Sequence, residues 1–313
     1  MRLLIMGAGA VGSVVGGLMA DAGHEVTFVG RRPHMDAMAE SGLRITGIWG
    51  GHLAREFRCQ TSVEGLTRDE FDVILLSVKS YATRDAAEEI RPLVGDATLV
   101  CSYQNGLGNA EIIAEKIGWE HTFGARVIFG AVILDKGHVD VTVMADSTVL
   151  GVWREVTPVE PIRQIAYAMN EAGAPTVFTD TFPAKLWSKV AYNCSLNPLS
   201  ALLDVPYGRL LDTDGTKAIM ENAVRELYAV GHSLGIALEP VEATAYVQRL
   251  FDTLIPATAQ HYASMREDFQ RKRRTEIDVL NGAICRYGEA QGIPCPANLM
   301  LTQLVRAREH AYL

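Results

Sequence analysis

Short apolar runs and segments of helical period alternate through residues 1–180, and from 181 to 313 only the helical period continues. Arg2–Met6 reads as a buried strand, Ala10–Ala22 as a helix closed by Gly23, and Glu25–Val29 as a second strand. Leu43–Ile48 and Ala54–Cys59 read as further strands. Phe71–Val78, FDVILLSV, has the uninterrupted apolarity of a strand covered on both faces of a parallel sheet. A helix at Ala82–Leu93, a strand at Thr98–Ser102 and a helix at Asn109–Ile117 continue the alternation. His121–Trp153, rich in β-branched residues and punctuated by glycine, predicts strands and hairpins that extend or edge the same sheet. Val159–Glu171 is a helix stopped by Gly173, and Pro175–Phe178 a last short strand. Beyond it come a helix over Phe182–Leu202, one capped by Thr216 and ending at Gly235, one opened by Pro240, and one over Pro296–His310. Thr275-Glu276-Ile277-Asp278 has the spacing of a capping box. The pattern divides the chain into an α/β domain over 1–180 and an all-α domain over 181–313.

The first strand runs straight into Gly7-Ala8-Gly9-Ala10-Val11-Gly12 and a helix. In that strand–turn–helix setting GxGxxG is a dinucleotide fingerprint: Gly7 makes the turn, Gly9 admits a pyrophosphate to the helix N-terminus, and Gly12 lets helix meet strand. The first domain is therefore of the Rossmann dinucleotide-binding type. After the second strand, where NAD sites place an acid for the ribose hydroxyls, this chain has Gly30-Arg31-Arg32, a cation pair suited to a 2′-phosphate. NADPH is the cofactor expected. Two further strand ends carry candidate ligands, Lys79 after FDVILLSV and Asn105 in Gln104-Asn105-Gly106; the plain alternatives are a solvated lysine and a turn dipeptide.

The stretch Phe182–Leu202 is apolar nearly throughout but carries Lys189, Asn193 and Asn197 at intervals of four, on one helical face. Buried polar groups need partners, so this stripe calls either for several internal hydrogen bonds or for a bound polar molecule. A half-desolvated lysine suits proton transfer and the amides suit ligand binding; otherwise the lysine snorkels and the asparagines tie helices together. Asn197-Pro198 predicts a kink, or a second helix capped by Asn197. His138 and Asp140 sit in a hairpin region, where a lone histidine is most often a surface residue.

Composition narrows the partners. A formal net charge of −8 gives no field for nucleic acid, and 48% hydrophobic residues over 313 positions suffice for a sizeable core. Small molecules are the expected ligands. The five cysteines, Cys59, Cys101, Cys194, Cys285 and Cys295, show neither disulfide nor zinc spacing, which fits reduced thiols in a cytoplasm and no metal. Arg2 and the apolar run to Ala20 imitate a secretory signal, but the five glycines within it and the strand that follows argue against one, and no other stretch suits a membrane span. The basic run Arg271-Lys272-Arg273-Arg274 is either a solvated face or a means of drawing anions towards a cleft.

These motifs together resemble the ketopantoate reductase (2-dehydropantoate 2-reductase) family over nearly the whole chain: GAGAVG, LSVKS, QNG, LWSKVAYNCSLNPL at Leu186–Leu199, and Ser264-Met265 with TEIDVLNG stand in the family's order. The resemblance implies a Rossmann domain joined to a helical domain with the active site in the cleft, and NADPH-dependent reduction of 2-dehydropantoate to pantoate in pantothenate biosynthesis. It implies Lys189 as catalytic acid; Asn105, Asn193, Asn197 and Ser264 as substrate ligands; Arg31 and Lys79 at the adenosine phosphate and ribose; and Glu276 at the cofactor, ordering the catalytic site. Glu276 also has a bland reading, as an acid in a first helical turn. The family includes paralogues acting on other 2-oxo acids, and opine-type substrates or a noncatalytic NADPH sensor are the competing readings. A sensor needs no proton donor, which the intact stripe supplies. The helical domain can offer an apolar face to a symmetric partner, making a homodimer, although no residue distinguishes dimer from monomer.

Overall fold

Leu3, Leu4 and Ile5 are wholly buried because parallel neighbours flank their strand on both sides and helices cover both its faces. The computed structural model describes residues 1–313. It divides into two units, Met1–Gln104 with Asn109–Phe182, and Asn105–Gly108 with Pro183–Leu313. The first unit contains β1 (Arg2–Met6), α1 (Ala10–Asp21), β2 (Glu25–Val29), α2 (Arg32–Ser41), β3 (Leu43–Gly47), β4 (His52–Ala54), β5 (Arg58–Gln60) and β6 (Val73–Leu76). It continues with α3 (Thr83–Ile90), β7 (Leu99–Ser102), α4 (Asn109–Ile117), β8 (Thr122–Arg126), β9 (Phe129–Asp135), β10 (His138–Met144), β11 (Thr148–Gly151), α5 (Val159–Glu171) and β12 (Thr176–Phe178). No helix of the chain is long and apolar enough to cross a membrane.

The main sheet runs β12-β11-β8-β7-β6-β1-β2-β5, parallel throughout except where β11 meets β8. Its six strands from β5 to β8 have the third-second-first-fourth-fifth-sixth order of a dinucleotide-binding sheet, with the reversal between β1 and β6. Period-two alternation sends Leu3 and Ile5 to a core shared with Val14 and Leu18 of α1, and Leu4 and Met6 to one shared with Ile90 and Ile113. Each such fully buried large side chain contributes about 1.5–3 kcal/mol.

A second sheet, β4-β3-β10-β9, was not foreseen. β8 and β11 do join the main sheet, but β9 and β10 pair with β3 and β4 instead, and Ala54–Cys59 is broken into the end of β4 and the start of β5. α1 lies between the sheets, which explains why it is apolar all round. A Cβ on Gly16 would sit 2.4 Å from Phe28 of the main sheet, and one on Gly17 2.7 Å from Leu43 of the second. The glycines that argued against a signal sequence let one helix meet two sheets closely.

The second unit is helical: α6 (Phe182–Leu203, its first residue counted with the first unit), α7 (Asp214–Ser233), α8 (Ala243–Arg249), α9 (Ile255–Ala257), α10 (Ser264–Gln270), α11 (Asn281–Ala290) and α12 (Pro296–His310). α6 is one continuous helix with Pro198 inside it, so Asn197 caps nothing. Proline removes the amide that would bond the carbonyl four residues back, and Asn281 Nδ2 donates to that carbonyl, Cys194 O, at 3.0 Å. The cap of α7 is Thr213, which accepts from the Thr216 amide, and not Thr216. The capping box is also absent. Thr275 N donates to Glu309 at 2.6 Å, Asp278 pairs with Arg274 and Arg306, and only the short 3₁₀ turn Ile277–Val279 follows.

Candidate active site

The carboxyl ends of β1, β2 and β6 carry the first unit's candidate residues. Gly7 turns the chain with φ +100°, and a Cβ there would approach Val78 Cγ1 to 2.6 Å and its nitrogen to 2.7 Å. Only glycine fits. The Gly7 and Ala8 amides both donate to Val29 O at 3.0 Å, which ties the turn to the end of β2. Gly12 would carry a Cβ 2.4 Å from Ser77 Oγ, and that hydroxyl donates to Gly7 O at 2.8 Å. At Gly9, by contrast, a Cβ would meet nothing nearer than Gly7 O at 4.0 Å. Gly9 is the N-cap of α1, with no side chain bonded to the first-turn amides of Ala10, Val11 and Gly12. This turn has room on one side, backbone donors and the positive end of a helix, a set that fits a dinucleotide pyrophosphate.

Arg31 is the N-cap of α2 and Arg32 its first residue, and both are exposed. Arg32 borders a cavity of about 370 Å³ together with Asp36, Gln60, Thr61, Ser62 and Glu64. His34, next to this pair in sequence, turns away from solvent. Its Nδ1 accepts from the Gly137 amide at 3.1 Å, so Nε2 carries the hydrogen it shares with Ser13 Oγ at 3.1 Å, and burial lowers its pKa. His34 therefore joins α1, α2 and the β9–β10 turn as a neutral ring. Lys79, half-buried, precedes the 3₁₀ turn Ser80–Ala82 three residues after β6. Sequence reading passed over Ser77, and it passed over the buried Gln104 side chain, which donates to Val78 O at 2.9 Å and Thr83 Oγ1 at 2.8 Å. Both lie inside the motifs LSVKS and QNG, which was the available signal.

In the second unit the Lys189 ammonium donates to Asn105 Oδ1 at 2.6 Å. Asn105–Gly108 is held there by the Leu107 amide, which donates to Val279 O at 2.8 Å, and by Gly106, whose φ is +88° and whose Cβ would lie 2.4 Å from that same oxygen. Glu276, half-buried, stands at the head of the turn ending in Val279. Thus Lys189, Asn105 and the Glu276 turn are brought together. Asn193 follows one helical turn after Lys189 and is half-buried, with no protein group bonded to its amide. Asn197 is 6% exposed and accepts from Tyr207 Oη at 2.5 Å. Ser264, exposed, opens α10 beside the last turns of α6, where the Ala263 amide donates to Ser200 Oγ at 3.4 Å. Of the basic run, Arg271 and Arg274 pair with Glu267 and Asp278. His138 bonds Thr46 Oγ1 at 2.9 Å, and that hydroxyl donates to Asp140 at 2.6 Å, all on the second sheet.

The strand order, the glycine turn and the lysine–asparagine stripe define a dinucleotide-binding protein made of an α/β unit and a helical unit. The chain belongs to the ketopantoate reductase PanE/ApbA family: residues 3–155 match the family's N-terminal part and residues 181–309 its C-terminal part. It is 35% identical to the 2-dehydropantoate 2-reductase of Aquifex aeolicus (strain VF5), over 99% of this chain and 97% of that protein. A crystal structure of a PanE/ApbA family ketopantoate reductase from Ralstonia eutropha JMP134 superimposes with a TM-score of 0.89 at 32% identity, covering 100% of this chain and 99% of that one. A ternary structure of D-mandelate dehydrogenase with NADH and anilino(oxo)acetate gives 0.88 at 28% identity, covering 100% and 99%.

Proposed function

We propose that the protein reduces 2-dehydropantoate to pantoate with NADPH. The observation that carries this reading is the Lys189–Asn105 hydrogen bond at the head of the polar stripe, because it gives a half-buried ammonium a fixed direction. Full-length similarity to 2-dehydropantoate 2-reductases supports the choice of substrate.

The residues divide the work by chemistry. The Gly7–Gly12 turn would hold a pyrophosphate and Arg31 the 2′-phosphate, and Lys79, Asn105 and Glu276 would be the further cofactor ligands. NADPH, when bound, supplies the hydride. Lys189 stabilises the carbonyl oxygen as negative charge develops on it and then protonates it, which is why its loss acts on the transition state more than on binding. Asn105 keeps the ammonium aimed. Asn193, Asn197 and Ser264 hold the carboxylate and hydroxyl of the substrate by hydrogen bonds, each worth about 1–3 kcal/mol. The likeness to D-mandelate dehydrogenase favours a second reading, reduction of another 2-oxo acid at the same site.

The test is NADPH oxidation, followed at 2-oxo acids that include 2-dehydropantoate and phenylglyoxylate, the acid that corresponds to mandelate. We expect the highest kcat/KM with 2-dehydropantoate. A higher value with phenylglyoxylate would establish the second reading, and no turnover of any 2-oxo acid would refute both.

A further inference from the structure

An asparagine amide can face a ligand with either of two groups, a carbonyl that accepts or an NH₂ that donates, and the choice decides what it recognises. At Asn197 that choice is made by a second side chain. Tyr207 Oη lies 2.5 Å from Asn197 Oδ1, and a phenol hydroxyl that donates must find an acceptor. Were the amide turned over, Nδ2 would point at Oη and the phenol hydrogen would be stranded in a buried spot. Burial also pushes the Tyr207 pKa far above its ordinary value, so the hydroxyl remains a donor throughout the working pH range.

Tyr207 cannot swing away. Its amide donates to His261 O and that of Gly208 to Ala259 O, both at 2.9 Å. Its ring meets Tyr192 edge-on at 5.8 Å and His261 at 5.3 Å, and the Tyr192 hydroxyl is itself fixed to Thr258 Oγ1 at 2.7 Å. The Asn197 Nδ2 group, with Oδ1 taken by Tyr207, is left without a protein acceptor on the helical face that also carries Lys189 and Asn193.

We propose that Tyr207 is a positioning residue: by holding Asn197 Oδ1 it makes the amide present Nδ2, a donor, to an acceptor oxygen of the bound 2-oxo acid. The inference rests on Asn197 being a substrate ligand, as read above. It states which end of that amide meets the substrate and what sets it. Loss of the hydroxyl lets the amide rotate and present either group, which weakens substrate binding and leaves proton donation by Lys189 in place.

The test is a double-mutant cycle on the full-length protein, with NADPH and 2-dehydropantoate, or with the 2-oxo acid that the wild type reduces fastest should it not reduce that one. Tyr207→Phe, which keeps the ring and its packing, should raise the KM of the 2-oxo acid about three- to tenfold, with kcat and NADPH affinity within about twofold of wild type. In an Asn197→Ala background the same change should have no further effect on KM. Asn197→Asp, which keeps the acceptor for Tyr207 and replaces the donor with an anionic oxygen, should raise KM by at least about tenfold. An unmoved KM in Tyr207→Phe, an equal penalty in the Asn197→Ala background, or a normal KM in Asn197→Asp would overturn the inference. Failure of the wild type to reduce 2-dehydropantoate would instead count against the substrate named above.

Discussion

Lys189 and Asn105 lie 84 positions apart in the chain, yet the ammonium of one donates to the amide oxygen of the other at 2.6 Å. The bond depends on a four-residue excursion, Asn105–Gly108, that belongs to the helical unit although it leaves from the end of β7. Gly106 permits that excursion, because its φ is positive and any side chain would strike Val279 O. We therefore expect Gly106→Ala to displace Asn105 and lower kcat by about tenfold or more, while Lys189 itself is untouched. Steady-state kinetics beside a thermal melt would check this; unchanged kcat would show that Asn105 does not aim the lysine.

Cofactor choice should depend on Arg31. Its guanidinium is exposed at the start of α2, where it can meet a 2′-phosphate in a charge-assisted pair, and Arg31→Ala should weaken NADPH binding about tenfold with little change for NADH. Titration of both cofactors into both proteins measures it. Equal use of the two by the wild type would contradict the assignment.

Asn281 should matter to stability because of Pro198. With the proline amide missing, Asn281 Nδ2 supplies the hydrogen bond to Cys194 O, and it also donates to Asn298 Oδ1 at 2.9 Å. Asn281→Ala leaves that buried carbonyl unmet and should cost about 1–3 kcal/mol. In a Pro198→Ala background residue 198 regains an amide for the same carbonyl, so the cost of Asn281→Ala should shrink. Chemical unfolding of the four proteins of this cycle tests it, and a cost that is the same in both backgrounds would refute the pairing.

His34 gives the fold a pH dependence of definite sign. Burial depresses its folded-state pKa below the ordinary 6.5, so its contribution is complete above that value and is lost as pH falls through 6.5 towards the folded pKa, where the unfolded chain binds the proton more readily. The wild type should therefore lose stability as pH falls below 6.5, with a slope of at most about 1.4 kcal/mol per pH unit from this group. His34→Gln should flatten the profile of Tm against pH, though His24 and His261, whose pKa values burial also lowers, contribute in the same direction. Parallel profiles for variant and wild type would show that His34 is not responsible.

What could be read in the sequence was what short-range pattern encodes. The β1–α1–β2 unit and the helices Asn109–Ile117 and Pro296–His310 are marked by local periodicity, glycine and proline, and they form where that pattern puts them. The misreadings have long-range causes. β9 and β10 alternate as strands should, but alternation does not name a partner, and they pair with β3 and β4. Thr275 has capping-box spacing, but Glu309, 34 positions away, takes its amide. Pro198 looks like a helix boundary until Asn281, 87 positions from Cys194, replaces the lost bond. The stripe Lys189, Asn193, Asn197 was visible as a local repeat, whereas its hydrogen bonds to Asn105 and Tyr207 are made by tertiary structure.

The central claim is that Lys189 donates the proton, and its most direct test compares kcat for Lys189→Ala and Lys185→Ala in NADPH-dependent reduction of 2-dehydropantoate. Lys185, one helical turn earlier, pairs with Glu239 at 3.3 Å in an exposed position and serves as the control. We predict that Lys189→Ala keeps its Tm and its NADPH affinity while kcat falls by about two to three orders of magnitude, the scale for losing one transition-state donor, and that Lys185→Ala retains near-normal turnover. Near-normal kcat in Lys189→Ala at an unchanged Tm, with turnover abolished in Lys185→Ala, would contradict the account.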